Sequence, residues 1–517
     1  MSSPAPATFS PFHSPRRCGF LALVLGAASV AAFAPLGIFF LVWLTLAGFF
    51  LLLEKADSAR EGAWLGFLFG LGWFGAGVSW IYVSISVFGG LAMPVAALAT
   101  VCFCAVMATF PALAGFLYRL WRARRDAVLP LLSRALLFAA LWALCEFLRG
   151  WVATGFPWLA AGYAQTPPSP LSGYAPILGV HGLSLLTAFL AALIAAPFRE
   201  RGPLLSPPLI LAFLILLGGA GLSRIEWTHP HGEPVSVALV QGNIEQSLKW
   251  DAPHIVDSLR AYYQLMREHP AQLTLFPETA LPGFVDEFPQ DYFEALKTLA
   301  LRQNGDLLFG AILGERERPK NGAISLGASP QQQYAKAHLV PFGEFTPPGF
   351  SWFMSMMNIP MSQLIPGEEG VAPLLLAGQR VAVDICYEDV FGEEIARSAA
   401  DSTLLANLSN TAWFGDSLAQ PQHLQIARIR ALETGRPILR ATNTGMTAVI
   451  HPDGSVAAVL PPFTCGVLIA AVQGRAGSTP YLIWKNGAFL FLAGMALLLA
   501  RAGKRRTSKP PNPHSGA

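Results

Sequence analysis

Long apolar stretches dominate both ends of the chain, and short charged segments separate them. A helix needs about 20 apolar residues, each rising about 1.5 Å, to cross about 30 Å of hydrocarbon. The stretches that approach this length are Cys18 to Ala34, Ile38 to Leu53, Gly62 to Val83, Leu91 to Leu117, Ala135 to Leu148, Ile177 to Ala196, Leu209 to Leu222 and Tyr481 to Ala500. The pattern predicts a multi-pass α-helical membrane domain with about eight transmembrane helices.

The middle of the chain shows a different pattern, with apolar runs of four to eight residues between turn residues. Such runs are typical of buried strands, and the stretches between several of them have helical periodicity. The predicted strands are Val235 to Val240, Gln272 to Phe276, Asp306 to Leu313, Arg380 to Cys386, Thr403 to Ala406 and Pro437 to Ala441; the helices are Asp257 to Arg267, Asp291 to Arg302 and Gln420 to Thr434; a hairpin joins Ala448 to His451 with Val456 to Leu460. Strands alternating with helices predict an α/β domain with a largely buried sheet.

Basic residues in the short loops predict the orientation in the membrane, because Lys and Arg favour the cytoplasmic side. On one side lie Arg16, Arg17, Lys55, Arg60, Arg119, Arg122, Arg124, Arg125, Arg134, Arg199, Arg201, Arg501, Lys504, Arg505, Arg506 and Lys509. The opposite short loops contain only Arg149. We therefore expect both termini to be cytoplasmic. The predicted parts are a seven-helix membrane domain at 1–224, an extracytoplasmic domain at 225–480, a last helix at 481–500 and a basic, Pro-rich tail at 501–517.

Composition excludes two broad classes of protein. Of 517 residues, 53% are hydrophobic and 13% are charged, against about 25% charged in soluble proteins. The chain is therefore neither a purely soluble protein nor a disordered one. The net charge of +3 is small, and the sequence has no basic stripe or phosphate-binding loop, so we expect no nucleic-acid partner. Arg16-Arg17 before an apolar run also resembles a cleaved signal peptide, but a second span four residues later favours retention.

Six cysteines are present, and four of them lie inside apolar stretches. Their spacing predicts neither a disulfide framework nor a metal site. Two alternatives stay open for the middle region. Either Cys386 pairs with Cys465 in an oxidising compartment, or Cys386 is free.

Three short segments each place a reactive side chain where an apolar run stops: Glu278, Lys336 and Cys386. Strand ends are where α/β sheets build their sites. A thiol has a pKa of about 8.5 and needs a base or a positive charge to become a nucleophile. Glu278 can exchange the proton, Lys336 can stabilise a thiolate or oxyanion, and His338 is a rival base.

Each of these residues also has an ordinary structural interpretation. Cys386 can be a small buried residue, Glu278 a helix cap, and Lys336 an exposed strand residue. Their order and their shared position at strand ends favour a site. Glu344 and Glu388 are either further members of a carboxylate network or surface charges.

The contexts FPET, KAHLVPFGE and ICYED around Glu278, Lys336 and Cys386 resemble the nitrilase superfamily of carbon-nitrogen hydrolases. That resemblance implies an αββα sandwich with a Glu-Lys-Cys triad. Further segments resemble the bacterial apolipoprotein N-acyltransferases over nearly the whole chain. They are VQGNI at 240–244, SLKW at 247–250, NLSNTAWFG at 407–415, RATNTG at 440–445, EFLRGW at 146–151 and GFPW at 155–158. Phe276 departs from the family, which more often has Trp there.

The resemblance implies a function. An acyl chain leaves the sn-1 position of a phospholipid, usually phosphatidylethanolamine, forms a cysteine thioester, and passes to the α-amino group of a diacylglyceryl-cysteine apolipoprotein. Cys386 is then the nucleophile, Glu278 the general base and acid, and Lys336 the stabiliser of tetrahedral intermediates. Supporting residues are Glu344, Tyr387 and Glu388, with Trp250 at the substrate entrance. No metal or other cofactor is implied. We expect a monomer in the cytoplasmic membrane with its catalytic domain on the periplasmic face.

Two other functions compete with this one. A membrane-tethered amidase would use the same triad but pass the acyl group to water. A transporter or receptor would need ionisable residues inside several spans, and only Glu146 fits.

We expect Glu146 and Arg149 to be helix-end or snorkelling residues. The segment Phe345 to Pro366 is either a lid or ordinary packing, and Trp151, Trp158, Phe350, Trp352 and Phe353 either line a lipid access or anchor the interface.

Overall fold

Helices build both ends of the chain in the computed structural model, which describes residues 15–123, 129–200, 206–249, 252–357 and 363–502. The N-terminal helices are α1 (Pro15–Ser29), α2 (Leu41–Lys55), α3 (Ala59–Gly77), α4 (Ile81–Val83), α5 (Met93–Ala123), α6 (Leu131–Arg149), α7 (Ala175–Glu200) and α8 (Pro207–Leu222). Each apolar stretch predicted before residue 225 overlaps at least one of these helices.

Several of these helices are long and apolar enough to cross a bilayer, which is typical of a membrane protein. Among the described residues four qualify: Pro15–Ala32, Met93–Arg122, Leu131–Arg149 and Pro170–Phe198. Ala59–Gly77 and Ile81–Phe88, bent by 62°, make a fifth span if they are taken together. α8 and the last helix of the chain are shorter apolar helices. The predicted number of eight spans therefore stays a prediction.

Basic residues gather at one end of the helix bundle. The buried carboxylate of Glu54 at the end of α2 pairs there with Arg122 and Arg134 and accepts a hydrogen bond from Tyr118. The opposite helix ends contact the second domain. Trp80 after α3 donates to Gln422, and Val180 of α7 donates its N–H to Glu433.

The second domain is built from two six-stranded sheets. Its elements are β1 (Thr228–Pro230), β2 (Val235–Gln241), α9 (Ala252–Glu268), β3 (Leu273–Leu275), α10 (Gln290–Leu301), β4 (Asp306–Leu313), β5 (Lys320–Gly327), β6 (Gln333–Ala335), α11 (Ser351–Met354), β7 (Leu374–Leu376), β8 (Gln379–Ile385), α12 (Gly392–Ala399), β9 (Leu404–Ser409), α13 (Ala419–Thr434), β10 (Ile438–Thr442), β11 (Ala448–Ile450), β12 (Val456–Val459), β13 (Gly466–Val472) and β14 (Arg475–Gly477). The chain closes with α14 (Pro480–Trp484) and α15 (Gly487–Ala502). One sheet has the order β13-β2-β3-β4-β5-β6 and the other β12-β11-β10-β9-β8-β7, and β1 pairs with β14.

The two sheets pack face to face around one apolar core. Val237 and Leu275 of the first sheet meet Val383 and Leu408 of the second in that core. α9 and α10 cover the outer face of the first sheet, and α12 and α13 cover that of the second. This arrangement confirms the predicted αββα sandwich.

α13 joins the sandwich to the membrane helices. Its apolar residues, such as Leu424 and Ala427, pack on the second sheet. Its polar residues bond to the helix bundle: Gln422 donates to the Gly77 carbonyl at 3.1 Å, and Arg428 to the Pro167 carbonyl at 2.6 Å. A helix that contacts protein on both faces fixes the sandwich against the ends of the membrane helices.

Candidate active site

The first site residue, Glu278, lies just after β3, where the backbone of residues 277–279 passes close to Gly310 of β4. A Cβ atom placed on Gly310 would lie 2.7 Å from the Glu278 Cα and 2.5 Å from the Thr279 nitrogen. Glycine at 310 is therefore required for this close crossing. Phe276 is fully buried and stacks on Tyr262, with ring centroids 4.8 Å apart.

The buried Glu278, Lys336 and Asn321 form, with the partly buried Glu344, a group that we call the front cluster. The Lys336 Nζ lies 3.5 Å from the Glu278 Oε1 and 2.9 Å from the Glu344 Oε2. The Asn321 amide donates to one oxygen of each carboxylate at 2.7 Å. The other Glu278 oxygen accepts from the Asn410 N–H at 2.8 Å. Lys336 is only 1% exposed, so its interpretation as an exposed strand residue is wrong.

Cys386 follows β8 and begins a tight turn over residues 386–390. Its φ is +55°, in the left-handed region that a non-glycine residue rarely adopts. The thiol is buried, and burial, with the nearby Glu278 carboxylate, raises its pKa to about 12. The Lys336 charge opposes this shift. At neutral pH the thiol is therefore protonated and needs a base.

Lys336 is charged in this environment. Burial alone would lower the pKa of its ammonium, but the Glu344 and Glu278 carboxylates outweigh burial and hold that pKa above its ordinary value. A fixed positive charge beside the thiol and two carboxylates is suited to stabilise an oxyanion.

Cys386 also has a second buried group on its other side, the back cluster, made of Asp384, Asp389, Asn407, His423 and Arg440. The Cys386 carbonyl oxygen accepts from the Asn407 Nδ2 at 3.3 Å and lies 3.2 Å from the His423 Nε2. Arg440 donates to Asp389 at 3.1 Å and to Asn407 at 2.6 Å. The back cluster thus fixes the backbone of residue 386.

The other predicted site residues divide by position. Glu344 lies in the front cluster. Glu388 accepts from the N–H groups of Ala337, His338 and Ile385 at 2.7, 3.1 and 2.7 Å, and from Tyr334. Burial raises the Glu388 pKa to about 7, although Lys336 and these N–H groups oppose the shift.

Tyr387 is buried and donates to the Gly155 carbonyl at 3.1 Å, so it connects the site to the membrane domain. The rival base His338 has its two ring nitrogens 3.0 Å from Glu394 and 3.1 Å from the Thr154 carbonyl. Cys386 and Cys465 are both free. Trp250 lies outside the described residues.

Several expectations about the membrane face need correction. Glu146 accepts from the Ala161 N–H at 3.0 Å, and Arg149 donates to the Trp158 carbonyl at 2.6 Å. Both residues lie in the last turn of α6, as the helix-end alternative predicted. Their side chains are buried and anchor the segment after α6, so the snorkelling alternative is wrong. Trp158 is 2% exposed, which excludes it as an interfacial anchor. The predicted lid includes residues 358–362, which lie outside the described residues.

Sequence reasoning missed the polar residues that position the triad candidates. Asn321 lies inside β5. Lys249 is buried, and its Nζ donates to the Glu278 carbonyl at 3.2 Å and to the Thr279 Oγ1 at 2.6 Å. Asn407, Asn410 and Arg440 stand inside motifs already recognised. Their place in these motifs was the signal that could have identified them as site residues, but a motif does not show which atoms they contact.

The fold and the site define a carbon-nitrogen hydrolase domain attached to membrane helices. Residues 236–481 match the carbon-nitrogen hydrolase family, and residues 25–193 match the apolipoprotein N-acyltransferase N-terminal domain. An apolipoprotein N-acyltransferase of Nitrosomonas europaea is 45% identical over 94% of this chain and 98% of its own length. One of Ralstonia nicotianae is 45% identical over 94% and 93%. An amidase structure from Nesterenkonia sp. AN1 aligns with 50% of this chain and 97% of its own at 21% identity, with a TM-score of 0.38. The chain belongs to the apolipoprotein N-acyltransferase family.

Proposed function

We propose that this protein transfers an acyl chain from a phospholipid to the α-amino group of the diacylglyceryl-cysteine that begins an apolipoprotein. The names of its full-length relatives support this function. The observation that carries this proposal is the position of Cys386 at the end of a strand, where the charges of Glu278 and Lys336 act on its thiol. The domain that contains Cys386 is also fixed onto helices apolar enough to cross a membrane.

The first half-reaction acylates Cys386. Glu278 accepts the thiol proton as the sulfur attacks the carbonyl carbon of the sn-1 ester. The oxyanion that forms lies beside the Lys336 ammonium, which stabilises it. When the intermediate collapses, Glu278 returns the proton to the glycerol oxygen, and a lysophospholipid leaves a thioester on Cys386.

The second half-reaction transfers the chain. The α-amine of the acceptor attacks the thioester carbonyl, and Glu278 takes a proton from the nitrogen. Lys336 again stabilises the oxyanion. Collapse breaks the carbon-sulfur bond, the thiol regains its proton, and the product is an amide. A covalent intermediate between two substrates predicts ping-pong kinetics.

The site has further proposed members. Glu344 holds Lys336 in place through their ion pair. Tyr387 and Glu388 fix the segments on either side of the nucleophile, and Trp250 stands at the substrate entrance. We also propose the domain limits given by the sequence: a membrane domain at 1–224, a catalytic domain at 225–480, a last helix at 481–500 and a tail at 501–517.

We further infer that the basic helix ends are cytoplasmic and that the sandwich lies on the periplasmic face. The ion cluster at Glu54 and the contacts of α13 lie at opposite ends of the bundle, which supports this orientation. Both substrates are lipid-anchored, so a catalytic domain at the outer surface meets them in one plane. We propose phosphatidylethanolamine as the usual donor and a monomer as the active form.

The test uses purified protein, with a Cys386→Ala variant as control. Each is incubated with phosphatidylethanolamine labelled on its sn-1 chain, and intact mass reports the adduct. We expect a hydroxylamine-labile acyl adduct, absent from the control, that moves to the amine of an added diacylglyceryl-cysteine peptide. Free fatty acid in place of acylated peptide would favour the amidase. No adduct on folded protein would exclude Cys386 as the nucleophile or this lipid as the donor.

A further inference from the structure

The chain that follows α6 has an unusual backbone over residues 152–156, which we call the strained segment. Ala153, Thr154 and Gly155 have φ angles of +54°, +71° and +84°, all in the left-handed region. Two of these three residues are not glycine, and such residues adopt this region only at a cost in conformational energy. A strained backbone persists where its surroundings hold it in place. The contacts of the strained segment therefore determine its conformation.

The catalytic domain bonds two successive carbonyl groups of the strained segment. The Thr154 carbonyl oxygen lies 3.1 Å from the His338 Nε2, and the Gly155 carbonyl accepts from the Tyr387 hydroxyl at 3.1 Å. His338 lies two residues after the proposed oxyanion stabiliser, and Tyr387 directly follows the proposed nucleophile. The strained segment of the membrane domain is thus bonded to both chain segments that carry these groups.

Both ring nitrogens of His338 face acceptors. The Nδ1 lies 3.0 Å from the Glu394 carboxylate, and the Nε2 faces the Thr154 carbonyl. The Phe391 ring stacks on the imidazole with centroids 3.6 Å apart and fixes its plane. An ionised carboxylate and a carbonyl oxygen only accept, and a neutral imidazole has a single N–H. Only an imidazolium donates to both partners, so the geometry selects the protonated ring.

A cavity of about 530 Å³ adjoins these contacts, where the sandwich meets the membrane helices. Thr154, His338, Phe391 and Glu394 all line it. The hydrogen bond between His338 and Thr154 therefore joins the two domains at the cavity wall. A neutral ring can donate to only one partner, and a carboxylate is a stronger acceptor than a carbonyl. Loss of the ring proton therefore releases Thr154 rather than Glu394.

The charges around the ring also favour an imidazolium. The Glu394 carboxylate contacts the ring itself, and an opposite charge at that distance favours the charged form. Two basic groups lie in the adjoining segments but bond elsewhere: Lys336 in the front cluster and Arg149 at the Phe156 carbonyl. The other titratable side chains that contact residue 338 or line the cavity are Tyr387, Glu388, Glu369, Glu393 and His181.

We propose that His338, as an imidazolium between Glu394 and Thr154, is a positioning residue that clamps the strained segment to the catalytic domain. The clamp is complete at low pH, where the ring is protonated, and is released as pH rises. It does not depend on acyl transfer. Its effect on the rate of acylation rests on the proposed function, because the clamped segments carry the proposed catalytic groups.

The first test measures hydrogen exchange in full-length Cys386→Ala protein in nanodiscs, where no turnover occurs. The reporters are the Gly155 N–H, which donates to the Val152 carbonyl, and the Phe156 N–H, which donates to the Arg149 carbonyl. Both hydrogen bonds lie at the strained segment. After correction for the intrinsic rate of exchange, we expect protection to fall about two- to tenfold as the pH rises from about 5.5 to 8.5.

Two variants separate the contacts of the ring. His338→Gln can place an amide N–H near the Nε2 position and keeps the donor to Thr154 without titrating, so protection should stay high at both pH values. His338→Asn places its amide near the Nδ1 position and loses that donor, so protection should be low at both. Glu393→Gln is the matched control, because Glu393 lies beside Glu394 in α12 but bonds to Asn486, and it should behave as the wild type does.

If the variants at 338 fail to fold, Glu394→Gln replaces them. Removal of the carboxylate disfavours the imidazolium, so the fall in protection should occur at lower pH than in the wild type. Equal protection at both pH values in the wild type, or His338→Gln that matches His338→Asn, overturns the proposal.

Thioester formation is measured separately on protein that retains Cys386. The rate in His338→Gln divided by the rate in the wild type should rise about two- to tenfold over the same pH range, because the proposed catalytic groups titrate in both proteins. An unchanged ratio would exclude the positioning role. Normal exchange behaviour without any thioester would instead contradict the proposed function, so the two failures are distinguishable.

Discussion

Cys386 lies between two buried charged regions that differ in what they bind. In the front cluster, side chains bond mainly to one another, and the Glu278 carboxylate and the Lys336 ammonium lie 3.5 Å apart. In the back cluster, Asn407 and His423 contact the Cys386 carbonyl oxygen. Apart from the partly exposed Glu344, the members of both clusters are buried, so burial does not distinguish a proposed reacting group from a supporting one. This difference supports the proposal that the front cluster transfers protons, whereas the back cluster holds a residue with an unfavourable backbone conformation in place.

The largest expected effect comes from the front cluster. Glu278→Gln should slow thioester formation by about 10²–10⁴-fold, because the base is removed. The midpoint of thermal unfolding should also fall, because Asn321 and Asn410 donate to different carboxylate oxygens and the amide keeps only one acceptor, and an unsatisfied buried donor costs about 1–3 kcal/mol. Hydroxylamine-labile adduct measured against time checks this, with Glu278→Asp as the control that keeps a carboxylate. An unchanged rate in the amide variant would assign the base elsewhere.

The back cluster should respond in stability. Asp389→Asn leaves the buried Arg440 guanidinium without its carboxylate partner, and breaking a buried pair costs about 3–5 kcal/mol. Denaturant unfolding measures that loss. Asp389→Asn with Arg440→Met removes both charges and should recover part of the stability. If Asp389→Asn instead abolished acylation at normal stability, the distinction between the two clusters would fail.

Glu388 accepts from the N–H groups of Ala337 and Ile385, so it joins the segment after Lys336 to the segment of the proposed nucleophile, Cys386. Its replacement should have a smaller, pH-dependent effect. Its pKa is about 7 in the folded protein, above the ordinary value of 4.5. Between these pH values the folded state holds a proton that the unfolded state has lost, so the Glu388 contribution to stability falls as pH rises from about 4.5 to 7. Unfolding at pH 5 and pH 8 should show a larger fall in wild-type protein than in Glu388→Gln, in which Glu433, whose pKa burial also raises to about 7, still contributes. An equal pH dependence in both would exclude Glu388 as its source.

Lys249 should give the smallest effect. Burial lowers its pKa to about 8, opposed by Glu278, so its positive charge near the Glu278 carboxylate is lost above pH 8. Acylation should therefore decline above pH 8 in wild-type protein. Lys249→Arg keeps the charge and should remove this decline, whereas Lys249→Met should be a few-fold slower at pH 7 without a decline near pH 8. Persistence of the decline in the arginine variant would assign it to another group.

Local pattern predicted some elements of the sandwich closely, although the predicted strands did not include β5, β6, β7 or β13. The predicted strand Asp306 to Leu313 has the same limits as β4, and the predicted helix Gln420 to Thr434 begins one residue after α13 begins. Apolar periodicity depends on the local backbone conformation and on which side of an element is buried, so it predicts the limits of these two elements. It did not indicate that α13 is buried on its polar side as well, because the membrane helices that cover it come from residues far away in the sequence.

The sequence by itself determined the apolar lengths that imply a membrane protein, the limits of several strands, and the order of Glu278, Lys336 and Cys386 along the chain. The tertiary structure alone decided which polar residues meet them. Asn321, Asn410 and Lys249 reach Glu278 from three separate segments. It also decided that Glu388 bonds backbone N–H groups while Glu344 pairs with Lys336. The physical reason is that periodicity records which face of an element is buried, whereas hydrogen bonds between distant segments depend on how the two sheets and the membrane helices pack.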